Sequence, residues 1–215
     1  MSNEINLKEA DRKVFSASFD DGLLDIFLAS FVLMFAVVPF LSRYLGDFWS
    51  SFIFLPVWGL VYLIIRWLRS HIVTPRTGTV KYGPMRKKKL TAFTIVMLVL
   101  NTIFLLLGMV AFLMPSGSGW RFTLMFSVIV LISFSLAGYF LDLTRLYVYG
   151  LMLALAIPVG EWLYQTFGVP HHGFPVSFGL SAVIILLVGL VKFISLLRNN
   201  PLPPEDLSLM EPDNG

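Results

Sequence analysis

The chain has 215 residues, of which 57% are apolar and only 13% are charged, and its mean hydropathy is +0.80. Soluble domains carry roughly 25% charged residues, so this composition excludes a sizeable water-soluble domain. Cysteine is absent, which excludes disulfides, thiolate metal sites and cysteine nucleophiles.

Residues 1–21 form a polar arm ahead of the first apolar segment. Acidic and basic residues are mixed along it, without a small-residue cleavage site, so the arm does not resemble a removable signal peptide. We expect the first helix to serve as an uncleaved insertion signal. Asp20 and Asp21 stand just before that helix, where carboxylates suit the free backbone N–H groups and the helix dipole.

Six apolar segments follow, each long enough to cross a bilayer. About twenty apolar residues in a helix span a hydrocarbon core of about 30 Å. The segments are residues 22–41, 48–68, 91–114, 122–141, 146–167 and 176–197. The sequence therefore predicts an all-α, polytopic bundle of six transmembrane helices over residues 22–198. Short connections, and a likeness between residues 59–69 and 189–198, suggest three helical hairpins.

Basic residues are distributed unevenly between the two sides of this bundle. Fourteen of the 16 lie on the side of the N-terminus, and only Arg43 and Arg121 lie on the other. Because cytoplasmic loops are enriched in Lys and Arg, both termini are predicted to be cytoplasmic. A bacterial cytoplasmic membrane fits best. Residues 199–215 hold four prolines and four acids, which predicts a disordered tail.

The longest connection, a basic loop over residues 69–90, is predicted to lie in the cytosol. Its β-branched residues between Val73 and Tyr82 predict a small β-hairpin that turns near Gly78. Cations at a membrane edge attract anionic lipid headgroups. The candidates for contact with a lipid phosphate or a partner are Arg66, Arg69, Arg76, Lys81, Arg86, Lys87, Lys88 and Lys89. The alternative is a topology anchor, and nucleic acid is not an expected partner because no aromatic or Gly-rich platform accompanies the charges.

Among the polar residues within the apolar segments, the most distinctive are Asp25, Asn101 and Glu161. They are candidates for an ion or substrate path, because intramembrane ionisable groups are costly and often functional. Alternatively, Asp25 pairs with Arg66 or Arg69, and Asn101 hydrogen-bonds to a neighbouring helix. Asp142 and Arg145, three residues apart, are predicted to form a local ion pair.

Glu161, His171 and His172 form the acid and imidazole cluster on the outer side. They are candidate metal ligands, although their spacing matches no defined zinc motif. The alternative is a wetted loop anchored by Trp162 and Tyr164. The sequence contains no Walker-type loop, dinucleotide fingerprint or His-Glu-x-x-His helix, and no cofactor is predicted.

Three classes of function fit these features. The first is a transport or permeation component for an ion or an amphipathic small molecule. The second is a non-catalytic scaffold or regulatory subunit, with anionic lipid, a cytosolic protein or a second copy as partner. The third is a lipid-modifying enzyme that holds a headgroup phosphate among Asp25, Arg66, Arg69, Arg76 and His71, but no nucleophile and base are grouped there. A polar cavity near Asn101 would favour transport, and a solid apolar interior would favour the scaffold.

Overall fold

A computed structural model describes residues 19–78, 84–113 and 119–201, and this part of the chain is helical without a strand. The six long helices are α1 (Leu23–Phe52), α2 (Phe54–Leu68), α3 (Pro84–Leu113), α4 (Gly119–Leu141), α5 (Arg145–Phe167) and α6 (Phe174–Asn199). Six helical stretches are long and apolar enough to cross a membrane, so the predicted helical class is confirmed. Most of the predicted arm and tail, residues 1–18 and 202–215, lies outside the described residues.

Aromatic side chains join α1 to α2 as an antiparallel pair. The apolar span of α1 ends at Gly46, whose φ of 77° and ψ of 164° break the helix, and the next span starts at Phe48. The ring of Phe31 lies 5.6 Å from those of both Phe54 and Trp58. Such edge-to-face and tilted contacts add to the packing of two apolar helices.

The second helix continues where the sequence predicted a β-hairpin. A π-helical turn, Arg69–Val73, and an α-helical turn, Thr74–Thr77, extend α2 up to Gly78. The β-hairpin prediction is wrong for residues 73–77, and residues 79–83 lie outside the described part of the chain. The threonine hydroxyls of this extension donate to helix carbonyls, and Val73 is buried. Burial and local hydrogen bonding therefore outweigh β-propensity here.

The principal helix contacts follow the order α2, α1, α6, α5, α4, α3. The most extensive of them join α1 to α6 and α4 to α5, while the pairs α1–α2, α3–α4 and α5–α6 also contact each other. The apolar core lies among the four middle helices. Half of the most apolar stretch of α5 is buried, but none of that of α3. Helix α3 thus lies at one edge of the arrangement.

Candidate functional site

Charged side chains gather where α1, α3 and α5 begin and α2, α4 and α6 end. We call this the charged end of the bundle. It brings together residues that are far apart in sequence, with ion pairs between α5 and the start of α1, between α6 and the start of α1, and between α3 and α4. The four described acids of this end are Asp20, Asp21, Asp25 and Asp142, and each forms an ion pair with a cation.

The centre of the charged end is the buried ion pair of Asp25 with Arg145. Asp25 is fully buried, and its Oδ1 lies 2.9 Å from Nε of Arg145 at the start of α5. Nη1 of the same guanidinium lies 2.6 Å from Oδ1 of Asp20, and Nη2 donates to the carbonyl of Phe19. Tyr149, one turn further along α5, is also buried, and its hydroxyl makes no hydrogen bond to a described residue. One arginine therefore ties the segment before α1 and the first turn of α1 to α5.

Two glycines allow α1 and α6 to approach closely enough to bury Asp25. A Cβ atom at Gly189 of α6 would lie 2.9 Å from the backbone nitrogen of Ile26 and 3.0 Å from Cβ of Asp25. Gly22, just before α1, has a φ of 77°, and a Cβ atom there would clash with the carbonyl of Gly189. A side chain at either position would separate the two helices, because contacts this short are repulsive.

Asp20 and Asp21 connect α1 to further helices. Lys192 of α6 pairs with Asp20. Partial burial by itself would raise the pKa of Asp20, but the positive charges and hydrogen bonds of Lys192 and Arg145 outweigh burial and lower that pKa below its usual value. Oδ2 of Asp21 lies 2.7 Å from Nη2 of Arg69 at the end of α2, and its Oδ1 accepts a hydrogen bond from the backbone N–H of Leu23. Asp21 thus caps the first turn of α1 and holds α2.

Pairing divides the predicted basic set into two groups. Arg69 and Lys89 are engaged in ion pairs, and Nη1 of Arg76 donates to the carbonyl of Leu197. The second group, Arg66, Lys87 and Lys88, is exposed and makes no ion pair with a described residue. The same holds for Arg198, which the predicted set did not include. We call these four the free cations. Lys81 and the side chain of Arg86 lie outside the described residues.

A second polar cluster lies at the opposite end of α5. Oε2 of Glu161, which is buried, lies 2.9 Å from Nδ1 of His172, and its Oε1 accepts a hydrogen bond from Gln165. Trp120 of α4 donates to the Gln165 amide oxygen at 2.9 Å. His171 and His172 have φ values of 57° and 52°, a left-handed conformation that is unusual outside glycine. The Glu161 contacts thus link α4, α5 and the turn before α6.

The geometry of this cluster gives little support to the predicted metal site. Glu161 and His172 are adjacent, whereas the ring of His171 lies against Phe40 at 6.2 Å. Among the described residues, no three His, Asp or Glu side chains are grouped as metal ligands. The hydrogen bond between Glu161 and His172 instead holds the loop between α5 and α6 against α5.

Asn101 does not reach a neighbouring helix. Its side chain is exposed on α3, and its amide nitrogen donates to the carbonyl of Met97 one turn earlier at 2.9 Å. The predicted bond to another helix is therefore wrong for the described part of the chain. The three predicted path residues do not converge, because Asp25 and Glu161 are buried at opposite ends of the bundle and Asn101 lies at its edge.

Two predicted ion pairs are also wrong. Asp25 pairs with Arg145 and not with Arg66 or Arg69, and Asp142 pairs with Lys89 at 3.1 Å, not with Arg145. The short separation in sequence favoured a pair between Asp142 and Arg145. In the folded chain the helices meet at the charged end, and Arg145 lies against the start of α1 instead. Spacing along the sequence therefore did not identify Arg145, Tyr149 and Lys192 as parts of this cluster. The engagement of Asp25 and Arg69 in separate ion pairs also removes two groups from the predicted headgroup site.

Comparison with known proteins gives no further guide to this cluster. No family model, curated protein or solved structure matches the chain. The six apolar helices suggest an integral membrane protein, and any more specific function has to be inferred from the residues themselves.

Proposed function

We propose that this protein is a non-catalytic membrane scaffold whose charged end faces the cytoplasm and binds anionic lipid headgroups. The observation that supports it best is the division of the basic residues. The acids of the charged end hold Arg69, Lys89, Arg145 and Lys192 in ion pairs. The free cations remain exposed on α2, α3 and α6, where phosphate groups can reach them.

The magnitude of this attraction is sufficient for lipid selection. A Lys or Arg near an anionic membrane surface contributes about 1 kcal/mol, and the contributions of several cations on one surface add approximately. Cations that are already paired contribute less, because their charge is compensated inside the protein. The excess of Lys and Arg at this end also favours the cytoplasmic side.

The interior of the bundle supports a scaffold over a carrier. Between the two polar clusters lies a layer of buried apolar side chains from α1, α5 and α6: Ala29, Val32, Leu153, Ala182 and Ile185. Tyr149 and Glu161, on the same helix, are separated by about 18 Å along its axis. A polar path from one cluster to the other would have to cross this packed layer.

Lipid selection tests the proposal. The protein, reconstituted in phosphatidylcholine, is probed with spin-labelled phosphatidylglycerol and with spin-labelled phosphatidylcholine, and the motionally restricted fraction of each label is measured. We expect the wild type to prefer the anionic label and the double variant K87Q/K88Q to lose most of that preference. The matched control is R43Q/R121Q, which removes two exposed cations from the opposite end.

Two results would contradict this function. One is equal restriction of the two labels by the wild type. The other is an equal effect of both double variants, which would show a general charge effect and no site. Protease protection of each variant in sealed vesicles checks that loss of the lysines has not inverted the protein, because basic residues also set topology.

Transport is a second candidate function, favoured by the burial of a carboxylate near each end of the middle helices, Asp25 and Glu161. If these groups belong to a proton path, vesicles loaded with a pH dye should equilibrate a pH gradient faster with protein than without it. Asp25→Asn and Glu161→Gln should each remove the difference. Equal rates with and without protein would reject proton transport and leave the scaffold proposal.

A further inference from the structure

Helix α3 has an outward face that no described helix covers. Its principal contact is with α4, through ring contacts such as Phe104 with Phe126 at 5.1 Å. One stripe of exposed side chains along α3 consists of Thr94, Leu98, Asn101, Thr102 and Leu105, which we call the outward face. Leu98 and Leu105 are each 67% exposed, and their spacing of two helical turns places them on one line.

Asn101 makes this face different from an ordinary lipid-facing surface. It lies eleven residues beyond Leu90, about 16 Å along the helix, which is close to the middle of a hydrocarbon core of about 30 Å. Its amide donates one hydrogen to the Met97 carbonyl, and no other described residue takes its second hydrogen or its oxygen. Lipid tails offer neither a donor nor an acceptor, so this amide needs a partner at the same depth.

Thr102 shows the contrast within the same turn. Its hydroxyl donates to the carbonyl of Leu98 at 2.9 Å, which satisfies its single hydrogen inside the helix. Thr94 does the same with the carbonyl of Leu90 at 3.1 Å. Among the polar residues of the outward face, Asn101 alone retains a free donor and a free acceptor within the described part of the chain.

We propose that the outward face of α3 binds the same face of a second copy, so that Asn101 of each protomer hydrogen-bonds to Asn101 of the other. A carboxamide carries both a donor and an acceptor, and is therefore complementary to itself. A two-fold axis along the membrane normal places the two residues at equal depth, as an isologous interface requires. A partner of other sequence would need a suitable polar group at that depth, whereas a second copy supplies it by symmetry.

The packing expected of such a pair matches the residues available. Leu98 and Leu105 would interdigitate on either side of the asparagine pair, as the apolar residues of a helix seam do around a single polar position. Lys87 continues the line toward the charged end, where its long side chain can turn outward to the headgroups. The proposal depends on membrane insertion but not on lipid selection by the free cations.

The absence of cysteine makes the test direct, because each single-cysteine variant has one reactive thiol. Variants L98C, L105C and the control I103C are reconstituted separately at high lipid-to-protein ratio and oxidised. Ile103 lies at intermediate depth and is exposed, but it points about 140° around the helix from Leu98. We expect L98C and L105C to form a disulfide-linked dimer and I103C to remain monomeric.

The role of the amide is tested by measuring dimer formation by energy transfer in the same bilayers. Replacing Asn101 with leucine should weaken association about fivefold or more, since interhelical side-chain hydrogen bonds of this type contribute about 1–2 kcal/mol in model helices. I103L, off the outward face, should leave association unchanged. The proposal is overturned if I103C links as well as L98C, if none of the variants links, or if N101L and I103L have the same effect.

Discussion

The charged end predicts a specific penalty for removing Arg145. In the variant R145M the fully buried Asp25 carboxylate loses the cation that compensates it. Breaking a buried ion pair from one side costs about 3–5 kcal/mol. The further contact with Asp20 adds little, because that side chain is 59% exposed and exposed pairs contribute at most about 1 kcal/mol. We therefore expect a loss of roughly 3–5 kcal/mol of unfolding free energy.

The penalty should come from the uncompensated charge and not from the lost arginine as such. The double variant D25N/R145M removes both charges and should recover most of the stability, because replacing both members of a buried pair is often nearly neutral. K89M is the matched control, because it breaks the partly exposed Lys89–Asp142 pair between α3 and α4. That variant should lose about 1 kcal/mol or less.

Unfolding in mixed micelles of dodecyl maltoside and increasing sodium dodecyl sulfate, followed by tryptophan fluorescence, measures these differences. The reasoning is refuted if R145M is no less stable than K89M. It is equally refuted if D25N/R145M is as unstable as R145M, because the cost would then not arise from the charge left on Asp25.

Two further predictions concern the glycine contact beside this pair and the Glu161 cluster at the opposite end of the bundle. Gly22→Ala should prevent folding or sharply lower the thermal midpoint in a fluorescence melt, because Gly22 has a φ of 77° and an added Cβ would clash with α6. Gly59 has open space around it, so the control Gly59→Ala should change stability by less than about 1 kcal/mol. Glu161→Ala should lose about 1.5–3 kcal/mol in the same melt, because hydrogen bonds to a charged acceptor are stronger than neutral ones, and Glu161→Gln should lose less. Equal thermal midpoints for the two glycine variants, or for the two Glu161 variants, would contradict these explanations.

Apolar length was sufficient to predict the helices from the sequence. Six segments of spanning length were evident because a bilayer-crossing helix needs about twenty apolar residues. Helix ends were harder, as α2 shows. The β-branched residues near Val73 favoured strands, but burial of Val73 and hydroxyl bonds to helix carbonyls extend the helix. Local propensity does not include such tertiary contacts.

The candidate site was predicted less completely, for a related reason. Asp25 was recognised because a carboxylate within an apolar segment needs compensation, but its partner could not be chosen from spacing. Arg145 follows Asp25 by 120 residues and reaches it only because α5 packs near α1 and α6. Asn101 was assigned to a neighbouring helix because a single sequence does not show which helix lies at the edge.

Residue accessibility on intact cells tests the central claim, which is that the charged end and its opposite lie on different sides of a membrane. Lys87→Cys and Arg43→Cys each introduce one thiol into a cysteine-free chain, and an impermeant maleimide reports which side each occupies. Arg43→Cys should react on intact cells, and Lys87→Cys only after the membrane is opened. Reaction of both variants, or of Lys87→Cys alone, on intact cells would contradict the account.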